Sequence, residues 1–261
     1  MDGRLYTGVL KRLTKSVGLH SSLKSVYWGL DIPRHLYHIS TEDSIVHDVN
    51  GTAVEFPLET YWQYQRFRWM HPEIQMFEEL TEELQPGDVF YDVGAHLGWH
   101  AVVADSVDPE MEVVAFEPHP EIASKLSTVL ETTGHDATIK QVALYDSPGT
   151  VEFTAAPEAG AQIAGARGDH PRETISVETV DGDSLVEREE IQPPDILKVD
   201  AEGAEAEVLR GLKRTIESEP PRIIYCEIHE AQRPVTQLLE EYGYEWSSFE
   251  SARPLLKAVP E

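Results

Sequence analysis

Cysteine is nearly absent. Cys226, alone among 261 residues, excludes an intramolecular disulfide and a metal centre built from cysteines, and makes a cytoplasmic location the default expectation. Long apolar runs are missing as well. No stretch reaches the roughly 18 residues of a membrane span, and Arg4, Lys11, Arg12, Lys15 and Lys24 break up the first thirty, which argues against a cleaved secretory signal. Positive charge is scarce: eight lysines and thirteen arginines face 47 acidic residues, for a net charge of -26 at pH 7. Such a surface repels a nucleic-acid backbone, so no nucleic-acid partner is expected. Its self-repulsion destabilises a compact state unless molar salt shortens the screening length to a few Å, so the chain reads as a salt-adapted, halophilic protein. What is present is a globular composition, with 41% hydrophobic residues in short periodic runs.

The cations are not spread evenly. Residues 1–40 hold six basic and two acidic residues, a net of +4. On a helical wheel Leu5, Tyr6, Val9, Leu10, Leu13 and Val17 share an arc of about 140°, with Arg4, Lys11, Arg12 and Lys15 opposite. A basic amphipathic helix of this kind suits an anionic membrane surface or an acidic partner, giving an expected peripheral membrane contact through residues 1–30; the alternative is packing on the chain's own acidic body. Ile45 to Phe56 alternates around Asn50-Gly51 and reads as a β-hairpin. The aromatic run Tyr61, Trp62, Tyr64, Phe67 and Trp69 reads as buried packing. Residues 1–60 form the extension in this reading, and 61–261 the main domain.

Beyond Gly87, apolar runs alternate with helical segments. Strands are expected at Val89–Val93, Val113–Phe116, Ala137–Ala143, Thr150–Thr154, Thr174–Val180, Ile196–Val199 and Arg222–Ile228, with two closing strands near the end. Helices are expected at Trp99–Val107, Glu121–Thr133, Ala204–Ile216 and Val235–Tyr242, after an earlier one at His71–Leu84. That alternation specifies an α/β fold, a mostly parallel sheet with helices on both faces and ligands at the carboxyl ends of its strands.

The first of those strands runs into Asp92-Val93-Gly94-Ala95-His96-Leu97-Gly98, a carboxylate followed by a glycine turn. A dinucleotide site would use its glycine turn for a pyrophosphate, which Asp92 would repel. The same place suits a ligand with positive charge, such as the ammonium and sulfonium of S-adenosylmethionine. Glu117, 25 positions on at the tip of the next strand and followed by Pro118, is placed to accept hydrogen bonds from ribose hydroxyls. Val142 and Ala143, ending the third strand, complete the expected cofactor set. Asp200 and Glu202 follow a buried strand, and Glu227 and His229 fall on one face of another. Any of these four could deprotonate a hydroxyl, with His229 leading because its ordinary pKa lies near neutrality. Carboxylates with an imidazole are also acceptable ligands of Mg²⁺ or Mn²⁺, but a metal-free base is the expectation.

The stretches Gly87-Asp-Val-Phe-Tyr-Asp-Val-Gly-Ala-His-Leu-Gly98, Phe116-Glu-Pro118, Leu197-Lys-Val-Asp-Ala-Glu-Gly-Ala-Glu205, Val208-Leu-Arg-Gly211 and Glu227-Ile-His229 resemble the FkbM-type methyltransferases over about residues 70–250. The resemblance implies a class I, Rossmann-like methyltransferase fold, S-adenosylmethionine as cofactor, and O-methylation of a hydroxyl on a sugar, glycan or other small molecule. It places Asp92, Gly94 and Gly98 at the methionine end, Glu117 at the ribose, and Asp200, Glu202 and Glu205 in the family's acidic cluster. Two other classes stay open: a non-catalytic module that kept the cofactor pocket, and a nicotinamide-dependent oxidoreductase, which the glycine pattern disfavours.

Overall fold

The computed structural model describes residues 44–58, 74–108, 110–154, 174–229, 232–249 and 255–261. The expected basic helix and the aromatic run at 61–69 lie outside them. The chain divides into two compact units, residues 1–45 with 58–69, and residues 46–57 with 70–261. Apart from Ser44 and Ile45 at the start of the first strand, everything that follows lies in the second unit. Among the described residues no helix is long and apolar enough to cross a membrane.

The hairpin forms where expected: β1 (Ser44–Val49) and β2 (Thr52–Pro57) pair around Asn50 and Gly51, both with positive φ as a tight turn requires. The Asn50 amide donates to the Glu78 carbonyl at 2.8 Å, tying the turn to α1 (Ile74–Glu83). The main sheet then builds up from β3 (Val89–Val93), α2 (Trp99–Asp105), β4 (Glu112–Phe116), α3 (Pro120–Thr133) and β5 (Thr138–Lys140). Pro120 starts α3, and Gly134 at φ 74° closes it by donating to the Leu130 carbonyl. After a three-stranded side sheet of β6 (Ala143–Leu144), β7 (Gly149–Thr154) and β8 (Thr174–Val180) come α4 (Gly182–Glu187), β9 (Ile196–Val199), α5 (Glu205–Gly211) and α6 (Lys213–Ser218). β10 (Ile223–Glu227), α7 (Gln232–Glu241), β11 (Tyr244–Phe249) and β12 (Leu255–Pro260) complete the chain.

The seven-stranded order is β5-β4-β3-β9-β10-β12-β11, parallel except for β12. Order reverses between β3 and β9, so the crossovers run outward on either side of that pair. A right-handed rule then sends their helices to opposite faces. The helices pack in two groups accordingly, α1 on α2, and α4 on α5 and α6 with α5 on α7. Tyr91, Val93, Leu197, Val199, Ile224 and Cys226 form the centre of the core between the layers. The lone cysteine is a fully buried apolar filler there.

Two expected elements divide. The run Ala137–Ala143 is not one strand: β5 ends at Lys140 in the main sheet, and Ala143 opens β6, pairing with Thr179 of the side sheet. Ala204–Ile216 is not one helix, because Leu212 at φ -108° separates α5 from α6. Sequence patterning missed α4, whose N-cap Asp181 accepts from the Ser184 N–H at 2.9 Å.

Candidate active site

The ends of β3, β4, β9 and β10 meet where strand order reverses, the place where open α/β sheets bind ligands. β3 supplies Asp92, fully buried, opposite Lys198 of β9 in the strand register. Lys198 Nζ donates to Asp92 Oδ1 at 2.8 Å and to the Gly94 carbonyl at 3.2 Å, and lies 3.8 Å from Asp200 Oδ2. Burial opposes the Lys198 charge, but Asp92 and Asp200 outweigh it and raise its proton affinity. Asp92 Oδ2 is buried without a hydrogen-bond partner. An ammonium group arriving from solvent would satisfy it, as the expected methionine end of the cofactor requires.

Glu117, following β4, locks the turn after β3 in place. Its Oε2 accepts from the His96 N–H at 2.9 Å and its Oε1 from the His119 N–H at 2.8 Å. His96 is held at φ 53°, a left-handed conformation that is uncommon outside glycine and clusters at functional sites. Each Glu117 oxygen keeps a lone pair for a ribose hydroxyl. Burial pushes the Glu117 carboxyl up to about 7, against the two backbone donors; Asp92 adds to the rise and Lys198 opposes it. The residues present therefore fit S-adenosylmethionine at both its charged and its hydroxyl-bearing ends.

For the remaining cofactor candidates the structure shows backbone conformation and packing. Gly94, at φ 75°, passes so near β9 that a Cβ there would lie 1.9 Å from the Asp200 carbonyl oxygen. This contact puts the cofactor turn directly against the acidic edge. Gly98, at φ 81°, faces Leu126, which a Cβ would meet at 2.2 Å, so its role is to seat α2 on α3. Ala95 and Pro118 are buried beside the turn. Val142 packs against the main core, and Ala143 against Phe153 and Val177.

The acidic edge assembles as the strand alternation required. Cys226 and Ile228 point into the core, while Glu227 and His229 face the edge with Asp200 and Glu202. His229 Nδ1 lies 2.9 Å from Glu205 Oε1, which also accepts from the Gly203 N–H. His229 Nε2 faces Asp200 Oδ1 and Glu202 Oε2 at 3.5 Å and Glu227 Oε1 at 3.4 Å. Glu202 is left-handed, at φ 49°. Burial opposes a charge on the imidazole, but hydrogen bonds to Glu205 and Glu227 and the charges of Asp200 and Glu202 prevail, raising its pKa to about 10. This corrects the expectation of a near-neutral base: at pH 7 such an imidazole keeps its proton. Asp200 moves the other way for a carboxyl, pushed up to about 7 by burial and by Glu227, against the pull of Lys198.

Two residues at this site escaped the sequence reading. Lys198 stood inside a quoted motif with no role; the signal was a lysine in an otherwise apolar four-residue strand. His119 is buried, with neither ring nitrogen hydrogen-bonded, one position past Pro118. Burial lowers its proton affinity below the ordinary imidazole value.

A seven-stranded sheet with one reversed strand, an acidic-plus-glycine turn at the switch point and a carboxylate on the neighbouring strand tip define a class I methyltransferase. The chain belongs to the FkbM methyltransferases: residues 92–246 match the Methyltransferase FkbM domain. It is 31% identical over 202 residues to the hexuronic acid methyltransferase AglP of Haloferax volcanii, covering 76% of this chain and 80% of AglP. It is 26% identical over 196 residues to the 31-O-demethyl-FK506 methyltransferase FkbM of Streptomyces tacrolimicus, covering 62% of this chain and 74% of that one. The methyltransferase FkbM from Methylobacillus flagellatus KT shares the fold with a TM-score of 0.51 at 15% identity; the match spans 76% of this chain and about half, 53%, of that one.

Proposed function

We propose that the chain is an S-adenosylmethionine-dependent O-methyltransferase acting on a hydroxyl of a hexuronic-acid-type sugar or glycan, in a salt-rich cytoplasm. The relation to AglP carries the choice of acceptor, since it extends over four-fifths of that methyltransferase. S-adenosylmethionine supplies an electrophilic methyl group on a sulfonium. The chain's part is to fix the donor and aim the acceptor. Asp92 and Glu117 grip the two ends of the donor, and the Gly94 contact holds that grip against Asp200. An acceptor hydroxyl over the edge would pass its proton to a carboxylate of Asp200, Glu202 or Glu227 as its oxygen bonds the methyl carbon and the carbon–sulfur bond breaks, leaving the neutral thioether S-adenosylhomocysteine. In-line positioning supplies most of the acceleration, and the base about 10² to 10⁴-fold.

The deciding experiment incubates the purified protein with methyl-labelled S-adenosylmethionine and glycans bearing hexuronic acid. The expected product carries one labelled methyl as an ether, stable to mild alkali. A label that mild alkali removes would move the acceptor from a hydroxyl to the uronate carboxylate. Donor binding without transfer to any acceptor would favour a non-catalytic module, and a bound nicotinamide would favour an oxidoreductase.

A further inference from the structure

The imidazole of His229 is buried more completely than the carboxylates around it, with only 3% of its side chain exposed. Its Nδ1 is engaged by Glu205, itself 4% exposed at the side chain and anchored by the Gly203 N–H. Its Nε2 is aimed into a cluster of carboxylates, with Glu227, Asp200 and Glu202 oxygens at 3.4–3.5 Å and none at close hydrogen-bond distance. Asp200 Oδ1 beside it is likewise buried without a hydrogen bond. Nε2 and Asp200 Oδ1 face each other as an ion pair at 3.5 Å, a spacing longer than a good hydrogen bond and one that an ion bridging the two would also satisfy.

The spacing says what would fit. Ligands about 2.1–2.2 Å from one ion, at roughly 90–110° to each other, lie about 3.0–3.6 Å apart. The distances from His229 Nε2 to Asp200 and Glu227, 3.5 and 3.4 Å, fall in that range and beyond a good hydrogen bond. Ligand atoms of Asp200, Glu227 and His229 all lie within 4.8 Å of one another. A carboxylate on Nδ1–H is also the usual outer partner of a metal-bound imidazole, because it fixes the tautomer in which Nε2 coordinates once the ion has displaced the Nε2 proton.

We propose that Asp200, Glu227 and His229 form a site for one hard divalent cation, Mn²⁺ or Mg²⁺, with Glu205 as the positioning residue that aims the imidazole. Two carboxylates and one imidazole are a donor set for such ions, and three ligands leave half of an octahedron open. The open positions suit an acceptor with two adjacent oxygens, vicinal hydroxyls or a carboxylate beside a hydroxyl, plus a water. A bound hydroxyl is acidified by the ion, its proton passes to Glu202, and its oxygen takes the methyl as the carbon–sulfur bond breaks to leave a thioether. The ion's binding stands without the methyl-transfer reading; its role in acceptor choice rests on it.

The test uses full-length protein freed of metal by chelator, in molar NaCl so that surface carboxylates are screened. Mn²⁺ titration followed by electron paramagnetic resonance should show one tightly held ion, displaced by Mg²⁺, and pulsed spectra should show coupling to one imidazole nitrogen. His229→Gln should abolish that coupling and weaken binding at least about tenfold. Glu205→Gln should weaken it about 10 to 100-fold while leaving the coupling in place, whereas Glu207→Gln, whose carboxylate pairs with Arg210 instead, should change nothing. If His229→Gln does not fold by circular dichroism, Asp200→Asn carries the same expected loss of affinity. No stoichiometric ion, or an ion without nitrogen coupling, overturns the site. Tight Mn²⁺ with no methyl transfer to any acceptor would instead count against the proposed function and leave the site standing.

Discussion

Glu117 holds the turn after β3 and, in the proposed function, the donor's ribose; hydrogen bonding and burial pull its protonation in opposite directions. Its oxygens accept the His96 and His119 N–H groups, which favour the ionised form, while burial raises its pKa to about 7. Because the folded-state value lies above the ordinary carboxylate one, the stability this group contributes is full at acid pH and lost as pH rises through about 7. Ribose hydroxyls, being donors, prefer the ionised form. Calorimetric affinity for S-adenosylmethionine should therefore climb between pH 6 and 8. Glu117→Ala should weaken binding by about 1–3 kcal/mol and flatten that climb, and unchanged affinity would remove Glu117 from the site. This residue was legible in the sequence because its spacing from Asp92 and its place before a proline are local facts. The roles of Lys198 and His229 were not. Lys198 finds Asp92 from 106 positions away, and His229 is charged by carboxylates gathered from two separate strand ends.

At the level of elements, the site depends on how closely β3 and β9 are joined. Their neighbouring residues Asp92 and Lys198 form an ion pair that is almost wholly buried, at 0% and 6% side-chain exposure. Lys198→Met should cost about 3–5 kcal/mol in denaturant unfolding, since it strands the Asp92 charge; adding Asp92→Asn should recover much of that loss. A single variant as stable as the parent would show that the pair is not worth keeping. The Gly94 turn makes a second junction. Gly94→Ala drives a methyl into the Asp200 carbonyl and should lower stability by about 3 kcal/mol or more, whereas Gly134→Ala, at the same φ with nothing within 4 Å, should cost only about 1 kcal/mol. Equal losses would mean that backbone strain alone matters at position 94. The strands that build these junctions were legible because Val89–Val93 and Ile196–Val199 are short apolar runs ending at polar residues. The break at Leu212 was not, since Ala204–Ile216 keeps helical periodicity through it and the feature beside it is tertiary: Gly211 passes so close to the Tyr145 carbonyl oxygen that a Cβ there would lie 1.9 Å from it. The division of Ala137–Ala143 is hidden similarly, because both halves are extended and only their partners differ.

For the whole molecule, the -26 net charge has few places to go. Several of the cations are already committed: Arg222 to Asp88 at 2.7 Å, Lys257 to Glu83 at 2.6 Å, Lys140 to Glu190 at 3.4 Å and Lys198 to Asp92. The surplus carboxylates lie at the surface, Glu152, Glu178, Glu219 and Glu245 among them. Such charges repel one another over a Debye length of about 10 Å at 0.1 M salt and about 3 Å at 1 M. The melting temperature should therefore rise steadily with NaCl into the molar range, with loosening or unfolding on dialysis to about 0.1 M. Salt also strengthens apolar burial, so the slope alone does not isolate the charge effect. Replacing Glu152, Glu178, Glu219 and Glu245 together by Gln removes four negative charges while leaving the core untouched. If repulsion is the cause, that variant melts higher than the parent at low salt, and the two curves converge near 1 M NaCl. Parallel curves would assign the salt response to burial, and a parent whose melting temperature stays flat from low to molar salt would end the salt-adapted reading of this surface.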